Sequence, residues 1–92
     1  MSEGASYDVA VIGAGYVGIP HAATLAEAGC SVLVVDVVPE LVEQLNRGES
    51  HIEDVTSERL APLVASGKLR ATTYYAEVAG CDAIVIAVPM PL

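Results

Sequence analysis

Apolar positions along the chain fall into two kinds of pattern. Three short runs are almost continuously apolar: Val9-Ala10-Val11-Ile12, Val32-Leu33-Val34-Val35 and Ala83-Ile84-Val85-Ile86-Ala87-Val88. Runs of this length and β-branched content predict parallel strands buried on both faces. Between them, apolar and small residues recur at helical spacing. The pattern predicts a first strand at about 7–12 and a helix at about 16–28, with Gly18, Ala22, Ala23 and Ala26 as its flat inward face and Gly29 as its stop. Pro20 falls near its first turn, where a missing N–H costs little. A second strand follows at 31–36, then a helix opened by Pro39 and running to about Arg47, with Leu41, Val42 and Leu45 inward and Gly48 closing it.

Glu49 to Val55 is polar and acidic and reads as a connection. Thr56-Ser57-Glu58-Arg59 offers an N-cap for a third helix reaching about Ala65, with Leu60, Leu63 and Val64 inward and Ser66-Gly67 at its end. Pro62 stands in mid-helix and predicts a start later than the cap. The third strand is expected at 69–73, a short helical turn at 75–79 and the fourth strand at 83–88, ended by Pro89-Met90-Pro91. Strands alternating with helices imply an α/β fold: a Rossmann-type parallel sheet in the order 3-2-1-4, the first half of a doubly wound domain.

The first strand leads into Gly13-Ala14-Gly15-Tyr16-Val17-Gly18, and an acid, Asp36, ends the second strand eighteen residues after Gly18. Three glycines at this spacing recur by chance in turns. Here they follow a strand, open a helix and precede an acid at the next strand tip, which is the dinucleotide-binding βαβ pattern and outweighs a plain turn with no ligand. Gly13 allows the tight turn, Gly15 lets the backbone approach a pyrophosphate and Gly18 lets the helix pack closely on the sheet. The N–H groups of about Gly15 to Gly18, Tyr16 and Val17 included, are unpaired donors at the positive end of the helix dipole. No acidic side chain lies between Asp8 and Glu27 to repel a phosphate. Asp36 is expected to accept hydrogen bonds from ribose hydroxyls and to repel a 2′-phosphate, which points to NAD over NADP. The candidate cofactor-binding residues are therefore Gly13, Gly15, Tyr16, Val17, Gly18, Asp36, Val37, Val88 and Pro89, at the C-terminal ends of strands 1, 2 and 4.

Composition narrows the partners. The 92 residues suffice for one small domain, and 53% hydrophobic content suits a sheet covered on both faces. A net charge of −8 and a pI near 4.3 argue against nucleic acid or an anionic membrane surface. A diphosphate must then be held by local dipoles. Met1 to Tyr7 carries no positive n-region or apolar h-region, and the longest apolar run is far short of a membrane span, so a cytoplasmic location is expected. Cys30 and Cys81 both precede predicted strands that flank the first, about 9 to 10 Å apart at a strand spacing of roughly 4.8 Å. A disulfide needs Cα atoms within about 7 Å, so two free, buried thiols are expected. His21 reads as an ordinary helix side chain, and His51, Glu53 and Asp54 as a solvated acidic loop in preference to a metal cluster. No catalytic residue is evident.

Val11-Ile12-Gly13-Ala14-Gly15-Tyr16-Val17-Gly18-Ile19-Pro20 resembles the opening of the UDP-glucose/GDP-mannose dehydrogenase family, the nucleotide-sugar 6-dehydrogenases. Leu45-Asn46-Arg47-Gly48-Glu49-Ser50, His51-Ile52-Glu53-Asp54, Leu69-Arg70-Ala71-Thr72-Thr73 and Ala87-Val88-Pro89-Met90-Pro91-Leu92 stand in that family's order and spacing. The resemblance implies the N-terminal NAD-binding domain of an enzyme that oxidises a sugar C6 alcohol to the carboxylate in two NAD-dependent steps through a cysteine thiohemiacetal. It also marks departures. The family commonly has Thr at Met90 and often Lys or Arg at Leu41, and its Glu-Pro-Gly after the second helix is replaced around Asp54-Val55-Thr56. Its nucleophilic cysteine and sugar-binding residues belong to later chain, and neither Cys30 nor Cys81 matches the nucleophile. The NAD domain of a flavin disulfide reductase shares Gly-Ala-Gly-Tyr-Val-Gly but usually has Glu at Asp36. A non-catalytic NAD-binding or sensing module is the other alternative. With the fourth strand apolar on both faces and the chain stopping at Leu92, these residues alone are expected to lack dehydrogenase activity, to be marginally stable as a monomer and to associate through that strand's edge.

Overall fold

Val32-Leu33-Val34-Val35 is buried at every position, as only a strand with neighbours on both sides and cover on both faces can be. This segment is β2 (Val32–Val35) of a four-stranded parallel sheet in a computed structural model that describes residues 7–13, 18–50 and 55–86. In chain order the elements are β1 (Tyr7–Ile12), α1 (Gly18–Glu27), β2, α2 (Pro39–Asn46), α3 (Ser57–Ala65), β3 (Leu69–Thr72), a 3-10 turn (Tyr75–Gly80) and β4 (Cys81–Ile86). The sheet order is β3-β2-β1-β4, as the sequence pattern predicts.

Register assigns the faces, because directly paired residues of parallel strands point the same way. Val9 pairs with Val32 and Ala83, Val11 with Val34 and Val85, Val32 with Leu69 and Val34 with Ala71. Most of these residues join Ile19, Ala22, Ala23 and Ala26 of α1, Val42 and Leu45 of α2 and Leu60 of α3 in the core. On the opposite face Ala10, Leu33, Val35 and Thr72 are buried, while Ile84 and Ile86 of β4 are 54% and 71% exposed.

The helices end as their glycines predict. After α1, Gly29 N–H donates to Ala26 O and Cys30 N–H to Leu25 O, and the same pair of bonds recurs around Gly48 and Gly67. Each is a Schellman motif, in which two carbonyls left over by the helix are satisfied. Thr56 caps α3, its hydroxyl accepting from Arg59 N–H at 3.2 Å.

Five details depart from the sequence expectation. Helix α3 begins directly after its cap, with Pro62 inside it, so the proline does not delay the start. Pro62 is exposed, which leaves the carbonyl deprived of its N–H partner within reach of water. Val55, read as part of a polar connection, is fully buried in the core. Cys81 is the first residue of β4, two positions earlier than expected, because β1 begins at Tyr7 and pairs with it. Cys30 and Cys81 are both free thiols, half-buried where full burial was expected. Ser31 and Asp36 fall just outside β2, although Ser31 O accepts from Asp8 and Val9 N–H and Asp36 N–H donates to Thr72 O. The expected first turn of α1 at 16–17 and the end of β4 at 87–88 lie outside the described residues.

Candidate functional site

The site grows from the C-terminal ends of β1 and β2. Ile12 pairs with Val35, so Gly13 and Asp36 are the next residues on two adjacent strands, at a strand spacing of roughly 4.8 Å. Gly13 N–H donates to Val35 O at 2.8 Å, which carries the ladder one residue beyond β1. The chain then turns with φ +105° at Gly13, a conformation that an L side chain would strain. Gly18 is the first residue of α1 and is buried. The first turn of α1 carries no acid, so nothing there opposes an anion at the helix N-terminus.

Asp36 is half-buried and its backbone is tied to β3 through the 3.1 Å bond from its N–H to Thr72 O. Its carboxylate Oδ1 accepts from Val38 N–H at 3.0 Å, an Asx turn that bends the chain toward α2. Val38 then serves as an extended N-cap without a side-chain bond, and Pro39, which has no N–H to satisfy, opens the helix. The consequence is a carboxylate held in one orientation by its own loop beside the glycine turn. Val37, between them, is 67% exposed. The structure thus sets Gly13 beside Asp36, with Val37 next along the chain, and Gly18 opens α1. Gly15, Tyr16, Val17, Val88 and Pro89 lie outside the described residues, as do His51, Glu53 and Asp54.

Other candidates lie elsewhere. His21 is exposed on α1, at the rim of an open cavity of about 500 Å³ lined also by Pro20, Thr24, Leu25 and Val85. Cys30, just before β2, and Cys81, opening β4, sit at the N-terminal edge of the sheet, opposite the glycine turn. Burial, with Asp82 and Glu77 nearby, pushes the Cys81 thiol up, the reverse of what a nucleophilic thiolate needs. Among the described residues no three His, Cys, Asp or Glu side chains converge as a metal site, and no helix is long and apolar enough to cross a membrane.

Two polar arrangements that support the site were not evident in the sequence. Asn46, at the end of α2, donates its amide to Ala71 O at 2.9 Å and accepts from Ala71 N–H at 2.8 Å. Its side chain occupies the open edge of β3 as a neighbouring strand would and locks α2 to the sheet. On the same strand Arg70 donates to Glu77 at 2.6 Å, and the Thr72 hydroxyl donates to the other Glu77 oxygen at 2.6 Å. These two bonds, the guanidinium's first, hold the Glu77 carboxyl below the usual glutamate range. Asn46 could be noticed only as a polar residue next to the inward Leu45. Glu77 carries no local signal at all.

The match that decides the relationship covers the site and the fold together. A family profile described as "UDP-glucose/GDP-mannose dehydrogenase family, NAD binding domain" matches residues 7–92. The chain belongs to the UDP-glucose/GDP-mannose dehydrogenase family. Among curated relatives, a UDP-glucose 6-dehydrogenase of Haloferax volcanii is 39% identical over 84 residues, covering 91% of this chain and 20% of the relative. A UDP-N-acetyl-D-mannosamine dehydrogenase of Salmonella typhi is 43% identical over 84 residues, covering 90% and 19%. The solved structure of the UDP-D-ManNAc dehydrogenase of Pyrococcus horikoshii superposes with a TM-score of 0.86 at 34% identity, over 92% of this chain and 21% of that one. A ternary complex of GDP-mannose dehydrogenase from Pseudomonas aeruginosa gives a TM-score of 0.84 at 32% identity, over 90% and 20%.

The chain therefore spans about a fifth of the length of the relatives it matches. The matched stretch is the family's NAD-binding domain, and NAD is its cofactor. That assignment favours neither the flavin disulfide reductase reading nor a free-standing sensing module.

Proposed function

We propose that this chain holds NAD across the C-terminal ends of β1, β2 and β4, and that the whole protein oxidises the C6 alcohol of a UDP- or GDP-sugar to the carboxylate. The observation that carries this reading is the placement of the Gly13 turn and the Asp36 carboxylate side by side, at the start of a helix with no acid in its first turn. When bound, NAD supplies the hydride acceptor for the alcohol carbon. The residues of this chain bind and orient it. Gly13 and Gly15 give the backbone room at the pyrophosphate, and the N–H groups from Gly15 through Tyr16 and Val17 to Gly18 donate to it. Asp36 accepts from the adenosine ribose hydroxyls and repels a 2′-phosphate, while Val37, Val88 and Pro89 complete the lining.

The nucleotide sugar is met by parts of the whole protein outside these residues, which is consistent with the fraction of each relative that the chain covers. We place the protein in the cytoplasm. The position of β4 at the end of the sheet, paired with β1 alone among the described strands, supports association of the 92-residue chain through that edge, which sedimentation would read as a dimer. The deciding experiment is calorimetric titration of NAD into the wild-type chain and Gly15→Val. The wild type should bind and the variant should not, because the valine fills the space the pyrophosphate needs. Equal affinity for the two chains overturns the assignment.

A further inference from the structure

The sheet ends in β3 on one side and β4 on the other, and the two edges are unlike. Every residue of β3 except Arg70 is buried, whereas no residue of β4 is. An edge strand carries a row of outward N–H and C=O groups that can pair with another chain, so the fate of those groups decides whether an edge is open.

The outward groups of β3 can be assigned from its bonds to β2. Lys68 O accepts from Val32 N–H at 2.7 Å and Thr72 O from Asp36 N–H at 3.1 Å, so the main chain at both residues faces β2. Alternate residues of a strand bond to the same neighbour, which places Arg70 with them and turns Leu69 and Ala71 outward. Leu69 and Ala71 are each 1% exposed. Asn46, the last residue of α2, meets both outward groups of Ala71, its Nδ2 donating to Ala71 O at 2.9 Å and its Oδ1 accepting from Ala71 N–H at 2.8 Å. A carboxamide offers the same donor and acceptor as a peptide unit, so this one side chain stands where the next strand would. Leu45 beside it is fully buried and its carbonyl accepts from Gly48 N–H at 2.9 Å, which fixes the end of α2 against the strand.

We infer that Asn46 closes the β3 edge against strand pairing, so that a second copy of this chain meets the sheet at β4 alone. This inference rests on the association through β4 proposed above. Symmetry gives its consequence. An edge that pairs with its own copy across a two-fold axis is used up in a dimer, whereas two open edges on each chain let the sheet extend from copy to copy.

Sedimentation equilibrium over a concentration series, with the wild-type chain, Asn46→Ala, Asn46→Ser and Gly67→Ala, tests this, and far-UV circular dichroism verifies that each chain is folded. Serine is too short to span both groups of Ala71 but leaves a hydroxyl for one of them, so it guards against a failure of the alanine variant to fold. Gly67→Ala controls for lost stability, because φ is +82° at Gly67 and Asn46 stays in place. Wild type and Gly67→Ala should level off at the mass of a dimer, and the two Asn46 variants should pass it and keep rising with concentration. A dimer in all four chains overturns the closure of β3 alone, as does growth of Gly67→Ala beyond the dimer. A wild-type monomer beside Asn46 variants that associate overturns the association at β4 and supports the closure of β3. Monomers throughout overturn both.

Discussion

Replacing Gly48 with alanine separates two physical costs that the structure assigns to different atoms. Gly48 has φ +78°, and an added Cβ would stand 2.9 Å from Ala61 Cα and 3.0 Å from Ala61 Cβ on α3. The left-handed conformation alone costs an L residue roughly 1 to 2 kcal/mol. Reduced freedom of the unfolded chain returns about 0.4 to 1 kcal/mol of that. The contact adds more, because the nearest atom is helix backbone. Helix α3 cannot simply slide away, since Leu60 is fully buried and Arg59 donates twice to Glu27 of α1 at 2.7 Å. Overpacking of this kind costs about 1 to 3 kcal/mol. Gly67 supplies the control, with φ +82° and nothing within 4 Å of its added Cβ. Gly67→Ala should therefore lower stability by about 1 kcal/mol and Gly48→Ala by about 2 to 4 kcal/mol. Urea unfolding followed by far-UV circular dichroism measures both, with equal slopes required for the comparison. Equal losses within about 0.5 kcal/mol would show that α2 and α3 do not meet at Gly48 as described, and the reasoning would fail.

Asp36→Ala should narrow the preference for NAD over NADP by about tenfold or more, as the loss of a charge-assisted bond to a ribose hydroxyl implies; wild-type chain binding both equally would refute the role of this carboxylate. Asn46→Ala should cost about 1 to 3 kcal/mol in urea unfolding, because the Ala71 N–H and C=O at the β3 edge lose a partly buried partner. Asn46→Asp should not restore it fully, since the carboxylate can accept from Ala71 N–H but cannot donate to Ala71 O. Glu77 has its carboxyl lowered in the folded state by Arg70 and then Thr72, so its contribution is present above the unfolded value of roughly 4.3 and is lost as pH falls through the lower folded value. The stability difference between wild type and Glu77→Gln should accordingly be constant from pH 6 to 7 and shrink on acidification below about 4, and a difference that grows on acidification would contradict the sign.

Much of this architecture is written in short stretches of chain. The strands are legible because a run such as Val32 to Val35 has no polar position to turn toward water. The helix ends are legible because a residue with positive φ after an apolar stripe is almost always glycine, and Gly29, Gly48 and Gly67 each close a Schellman motif. The Gly13 turn and the Asp36 strand tip could be placed side by side from spacing, since the βαβ unit dictates that consecutive strands are neighbours. Tertiary structure alone decided the rest. Val55 is buried although its neighbours in sequence are polar, because its environment comes from packed helices and not from its own segment. Asn46 finds its partner 25 residues away on the β3 edge, and Arg70 and Thr72 converge on Glu77 only when the chain leaves β3 and folds back through the 3-10 turn. Local pattern records what each segment must bury, whereas a hydrogen-bond partner or a shared surface depends on which distant segment arrives beside it.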